Sequence, residues 1–130
     1  GIFLLNTGRS RRTEPLVNLF LEKCSSKDFS YLCDRVLTPI SDDCIDALLE
    51  QDIPRLLKSF KDLSRFQMEN FESMIPPLFR DIWMRGLEED SFYLKLCGAG
   101  GGGFLLGVTT SFKNLPEEFS DLNIRPVLEF

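Results

Sequence analysis

Residues 98–103 read Gly-Ala-Gly-Gly-Gly-Gly, which is five glycines in six positions. Two strand-like runs flank them. Before them, Phe92, Leu94 and Leu96 alternate with Tyr93, Lys95 and Cys97, the period-two pattern of a pleated strand. After them, Phe104 to Val108 form an unbroken apolar run, short enough for a central strand. A linker of six residues cannot hold a crossover helix, so the two strands must run antiparallel. Glycine loses more backbone freedom on folding than any other residue. Five of them exceed what a hairpin turn requires. Backbone without side chains serves close approach, either of an anion to a concavity of N–H groups or of a second backbone segment.

The rest of the chain supplies helices around these strands. Residues 2–5 form a short apolar strand, followed by a polar turn with Arg9, Arg11 and Arg12. Thr13 can cap a helix whose first turn holds Pro15, and Leu16, Val17, Leu19 and Phe20 recur at helical spacing. Ser25-Ser26 breaks this helix. A second spans about 29–37, and Pro39 is expected to end or kink it. Ser41 or Asp42 can cap the next segment, where Ile45, Leu48 and Leu49 share a face. Asp52, with Pro54 behind it, opens a helix with Leu56, Phe60, Leu63 and Gln67 in one stripe. Pro76-Pro77 opens another, with Phe79, Ile82, Trp83 and Leu87 inward. A short helix is expected over 115–122. A last strand follows over 124–130, marked as an edge by Pro126. The order predicts one α+β domain over residues 1–130, an antiparallel sheet with helices on one face.

Composition narrows the function classes. The chain has 130 residues, a net charge of −5 and no histidine. An acidic chain is a poor partner for a nucleic-acid backbone, so no nucleic-acid binding is expected. Without histidine, no His-based metal site or general base lies in this segment. No stretch reaches the roughly 20 apolar residues that cross a bilayer, and no membrane association is expected. Cys24, Cys33, Cys44 and Cys97 show no C-x-x-C spacing. They are expected as buried free thiols of a cytoplasmic protein. Opening on a strand without an initiator Met, the chain is expected to be an excised domain. The twelve Phe residues, like Trp83, are expected in the core.

Two nucleotide-binding motifs can be set against the glycine run. Gly98, Gly100 and Gly103 satisfy G-x-G-x-x-G, but a dinucleotide fold needs a helix after the loop, and a strand pattern follows here. A P-loop needs Lys where Phe104 stands.

Residues 95–104, KLCGAGGGGF, resemble the third conserved motif of the GHMP kinases, small-molecule kinases whose motif reads K-x-T-G-A-G-x-G-G or similar. Cys97 replaces the usual Thr or Ser. Residues 4–17, LLNTGRSRRTEPLV, resemble the segment that opens the C-terminal domain of the mevalonate kinases in that family. There Thr7, Arg11, Thr13, Leu16 and Val17 fit, while Ser10 stands where Pro is common. In element order the resemblance covers the whole chain.

The resemblance implies a ferredoxin-like antiparallel sheet of about four strands with a helical layer on one face. It implies an ATP- and Mg²⁺-dependent kinase passing the γ-phosphate to a small-molecule hydroxyl, mevalonate first. The catalytic groups, the Mg²⁺ ligand and the P-x-G-x-G-S-S-A loop would lie in a partner N-terminal domain outside this chain. This chain alone is then expected to be inactive and to hold neither cofactor nor metal. Gly98, Ala99, Gly100, Gly101 and Gly102 would face the phosphates and the reacting hydroxyl. Arg11 and Thr13 would be acceptor-side groups, with Arg9 and Arg12 in solvent. Lys95 has two readings, a phosphate contact or a structural ion pair. Two alternatives stand beside this function: a kinase of a sugar or heptose phosphate, and a non-enzymatic ferredoxin-like module that binds an anion.

Overall fold

A computed structural model describes residues 1–9 and 13–130. Strand β1 (Ile2–Asn6) leads to five helices: α1 (Thr13–Cys24), α2 (Lys27–Leu32), α3 (Thr38–Leu49), α4 (Ile53–Asn70) and α5 (Pro77–Glu89). Strands β2 (Phe92–Leu96) and β3 (Phe104–Thr109) follow, then two 3₁₀ turns (Phe112–Asn114 and Glu117–Ser120) and β4 (Ile124–Leu128). The fold is α+β. The four strands form one antiparallel sheet in the order β2-β3-β1-β4, the strand order of a ferredoxin-like sheet. The short connection between β2 and β3 forms the antiparallel pair it demands, with Leu96 opposite Leu105. β4 lies at an edge, and its register with β1 slips between Ile2 and Phe3, beside Pro126. An edge tolerates the N–H that proline lacks.

Register sorts the sheet side chains into two sets. Phe3, Leu5, Leu94, Leu96 and Leu105 share one face; Ile2, Leu4, Tyr93, Lys95, Leu106 and Val108 share the other. Cover extends to both, as the unbroken apolar run of β3 requires. Phe112 and Phe119 stand against Phe3 with ring centroids 6.3 and 6.2 Å apart. Gly107 makes room for this packing, since a Cβ there would stand 2.2 Å from the Phe3 ring. Residues of α3 and α4 border Ile2, Leu106 and Val108.

The helical stripes read from the sequence fill the core in α4 and α5. Leu56, Phe60 and Leu63 are buried, as are Phe79, Trp83 and Leu87. Trp83 donates its Nε1–H to the Ser64 carbonyl at 3.3 Å. Asp52 caps α4, its Oδ1 accepting the Arg55 N–H at 3.1 Å. Most of the phenylalanines are core, but Phe104 and Phe130 are exposed. Cys44 is buried, and the other three cysteines are half-buried.

Five expectations need correction. Of the two effects expected of Pro39, ending the helix does not occur. A π turn (Cys33–Leu37) precedes it, with the Thr38 N–H bonded to the Cys33 carbonyl. Proline would collide with the carbonyl four residues back, and the wider turn relieves that crowding while the helical path continues. Ser41 caps nothing; it sits inside α3 and donates to the Leu37 carbonyl at 2.9 Å. The apolar face of α3 is also turned outward. Ile45, Leu48 and Leu49 are 55, 41 and 76 % exposed, while Cys44 and Ala47 are buried. Finally, the helix expected over 115–122 is replaced by the two 3₁₀ turns. Pro116, with no N–H to give, stands between them. Thr13, expected as a cap, is instead the first residue of α1; the position before it lies outside the described residues.

Candidate functional site

The glycine loop connects β2 to β3 at one end of the sheet. Gly98, Gly100, Gly101 and Gly103 take φ angles of 61°, 76°, 77° and 73°. This is the left-handed region, where a Cβ is strained. The backbone path therefore accounts for four of the five glycines. Gly100 carries a second constraint. A Cβ there would lie 2.8 Å from the Met74 carbonyl oxygen and 3.1 Å from Leu96.

Two segments fix the loop from outside. The Gly101 N–H donates to the Met74 carbonyl at 2.5 Å, and the Gly103 N–H to the Arg9 carbonyl at 2.5 Å. The Gly103 carbonyl accepts from the Thr7 N–H at 2.8 Å and from the Thr7 hydroxyl at 2.9 Å. Thr7 is buried at the end of β1, so the turn after β1 and the glycine loop are held as one unit. One use of bare backbone, the close approach of a second segment, is thus shown. Close approach to Met74 is direct, and it consumes the N–H of Gly101. Among the described residues, no acceptor meets the N–H groups of Gly98, Ala99 or Gly102, while Gly100 closes a turn over residues 98–99. Successive N–H groups around left-handed residues form a concavity suited to an anion.

Beside the loop lies a cavity of about 330 Å³, bordered by Gly98 and Ala99, by Leu16, Val17 and Phe20 of α1, and by Gln67 of α4. Gln67 is fixed by the edge of β2, its Oε1 accepting the Leu96 N–H at 2.8 Å. That bond leaves its amide –NH₂ as a polar donor on a largely apolar wall.

The predicted site residues divide accordingly. Gly98, Ala99, Gly100, Gly101 and Gly102 lie together in the loop, although Gly101 is buried and already bonded. Thr13 opens α1, three residues before Leu16 of the cavity wall. Arg11 and Arg12 lie outside the described residues. Arg9 is exposed and meets the loop only through its carbonyl. Lys95 forms no ion pair among the described residues; its Nζ donates to the Leu96 carbonyl at 2.8 Å. Two contributors escape a sequence reading. Gln67 left one signal, a polar residue in an apolar stripe. The Met74 carbonyl left none, because any residue supplies one.

Comparison with protein-family models, with curated proteins and with solved structures returns no match. Among the described residues, no helix is long and apolar enough to cross a membrane.

Proposed function

We propose that this chain is the C-terminal domain of a GHMP-type kinase. Its glycine loop would border the phosphate in transit and the acceptor hydroxyl, with mevalonate as first-choice acceptor. One observation carries the proposal: three loop N–H groups, at Gly98, Ala99 and Gly102, stand without described acceptors beside a backbone that takes the left-handed region at Gly98, Gly100, Gly101 and Gly103. Phosphoryl transfer asks a protein chiefly for positioning and charge stabilisation, and fixed N–H groups supply both. They are aimed before the reaction begins, so no reorganisation is needed as charge moves to the transferred group.

The remaining chemistry belongs to an N-terminal partner domain carrying ATP and Mg²⁺. The metal would neutralise charge on the phosphates; among the described residues no cluster of ligands could hold it here. The cavity beside the loop supports the acceptor side, with Gln67 and the start of α1 as its walls. A kinase for a sugar or heptose phosphate uses the same parts with another acceptor.

The test is an acceptor panel on the two-domain enzyme with ATP·Mg²⁺. Mevalonate, phosphomevalonate, homoserine and heptose phosphates are compared by kcat/KM. Mevalonate is expected to lead, and a panel without turnover removes the kinase. A second reading has its own support, because the loop is bonded to Met74 and Arg9 within the domain and so needs no partner to hold its shape. A non-enzymatic anion-binding module would then bind phosphate through this chain alone and show no turnover in any context.

A further inference from the structure

A second cavity lies away from the glycine loop, between α3, α4 and the sheet. Its volume is about 370 Å³, at the lower end of the roughly 300–1,000 Å³ typical of ligand pockets. Ile2, Leu106 and Val108 form its floor; Leu56 and Phe60 form a wall. Ile45 and Leu48 border it while 55 and 41 % exposed, so an apolar rim faces solvent. The outward-turned face of α3 is part of this cavity.

Lys95 is the only cationic side chain in this lining. Its ammonium gives one bond, to the Leu96 carbonyl. No carboxylate stands within ion-pair distance among the described residues. An ammonium has three donors, so two remain. Asp42, Asp43 and Asp46 each adjoin this lining in sequence on α3; Asp43 is already paired with Arg55 at 2.7 Å. An apolar cavity of this size with one under-used cation in its wall matches a molecule with an apolar tail and one anionic head.

We propose that this cavity binds a single-chain anionic amphiphile, a medium-chain carboxylate, with its head on Lys95 Nζ and its tail among Ile2, Phe60, Leu106 and Val108. The carboxylate supplies the acceptor oxygens that the Lys95 donors lack. The tail covers Ile45 and Leu48. No covalent step is involved, and the site is independent of the role of the glycine loop.

The probes are octanoate, decanoate and decyl alcohol, each below its micelle-forming concentration, titrated into the purified protein by calorimetry. Burying a methylene tightens binding about fourfold, so decanoate should bind about fifteenfold tighter than octanoate. Lys95→Met keeps the apolar stem and removes the charge. It should weaken decanoate by about tenfold or more and leave decyl alcohol within about twofold. Ile45→Glu, at an exposed position, should repel the carboxylate while the circular dichroism and Tm stay unchanged. Cys44 gives an independent readout. It is buried in the cavity lining, and burial pushes its thiol up, so it alkylates slowly. Decanoate should slow alkylation at Cys44 further, read by peptide mass spectrometry, and leave Cys24 unchanged. Absence of saturable binding overturns the proposal. So does binding that ignores chain length or survives Lys95→Met unaltered. Self-association of the protein that buries Ile45 and Leu48 without carboxylate binding would assign the face to a second copy instead.

Discussion

Gly98 and Gly100 share a left-handed φ but not a neighbourhood. At Gly98 a Cβ would meet nothing within 4 Å, whereas at Gly100 it would stand 2.8 Å from the Met74 carbonyl oxygen. Gly98→Ala should therefore lose only the left-handed strain, on the order of 1–2 kcal/mol. Gly100→Ala adds a collision with backbone, which cannot rotate away, and should cost at least about 1 kcal/mol more. Urea unfolding of both variants separates the two effects; equal losses would mean that Met74 does not constrain the loop. Tyr93 supports a second residue-level expectation. Burial, then its hydrogen bond to Asp90 at 3.1 Å, pushes its hydroxyl up to about 12 from 10. Folding thus favours the neutral phenol. The resulting stability is complete below pH 10 and is lost as pH rises towards 12, because the unfolded chain ionises first. Tm should fall more steeply over that window in the native protein than in Tyr93→Phe, and parallel curves would refute the assignment.

At the scale of elements, α4 secures the sheet edge through one side chain. Gln67 answers the Leu96 N–H that β3 cannot reach. Gln67→Leu keeps the volume but leaves that N–H unpaired, which should cost about 1–3 kcal/mol. Gln67→Glu keeps an acceptor and should cost less, as chemical denaturation can measure; equal costs would show that volume matters rather than the bond. The four strands and most of the helices were legible in the sequence, the 3₁₀ turns over 112–120 were not, and much of the burial was legible too. Period-two alternation marked β2, Pro126 marked an edge, and the stripe of Leu56, Phe60 and Leu63 marked the inner face of α4. The inner face of α3 was not legible. Ile45, Leu48 and Leu49 form the more apolar stripe by residue type, yet Cys44 and Ala47 are buried. Helix α3 packs closely along α4, and small residues suit that contact; hydrophobicity alone says which stripe is apolar, not which neighbour it meets. Pro39 misled for a related reason. A proline forbids a local bond, but whether the chain breaks or widens into a π turn depends on packing beyond the segment. In the candidate loop, four of the five glycines were legible because each takes a left-handed φ. Met74 and Arg9, which act through carbonyls, leave no mark on residue type.

At the scale of the molecule, the sheet order makes the first strand central. β1 pairs with β3 on one side and β4 on the other, so the beginning and end of the described chain fold against each other. No element can leave without exposing apolar surface of another, and unfolding should be cooperative. Trp83 fluorescence and far-ultraviolet dichroism should therefore give one coincident urea transition; separated midpoints would divide the core. The same closure ties the glycine loop to the turn after β1 and to the segment before α5, and leaves the N–H groups of Gly98, Ala99 and Gly102 without described acceptors. If those groups serve phosphoryl transfer, bulk beside them must disturb the reacting geometry, since displacement by roughly 1 Å can cost on the order of a hundredfold. Ala99 is the position to test, because its φ is not left-handed and it borders a cavity that can receive a larger side chain. The deciding measurement is kcat/KM for mevalonate of Ala99→Leu in the proposed two-domain kinase, with Tm recorded alongside. A loss of at least about tenfold, or about 1.4 kcal/mol of transition-state stabilisation, at unchanged Tm is the expected result. A variant equally stable and fully active would contradict the account, leaving the five glycines with chain geometry as their only purpose.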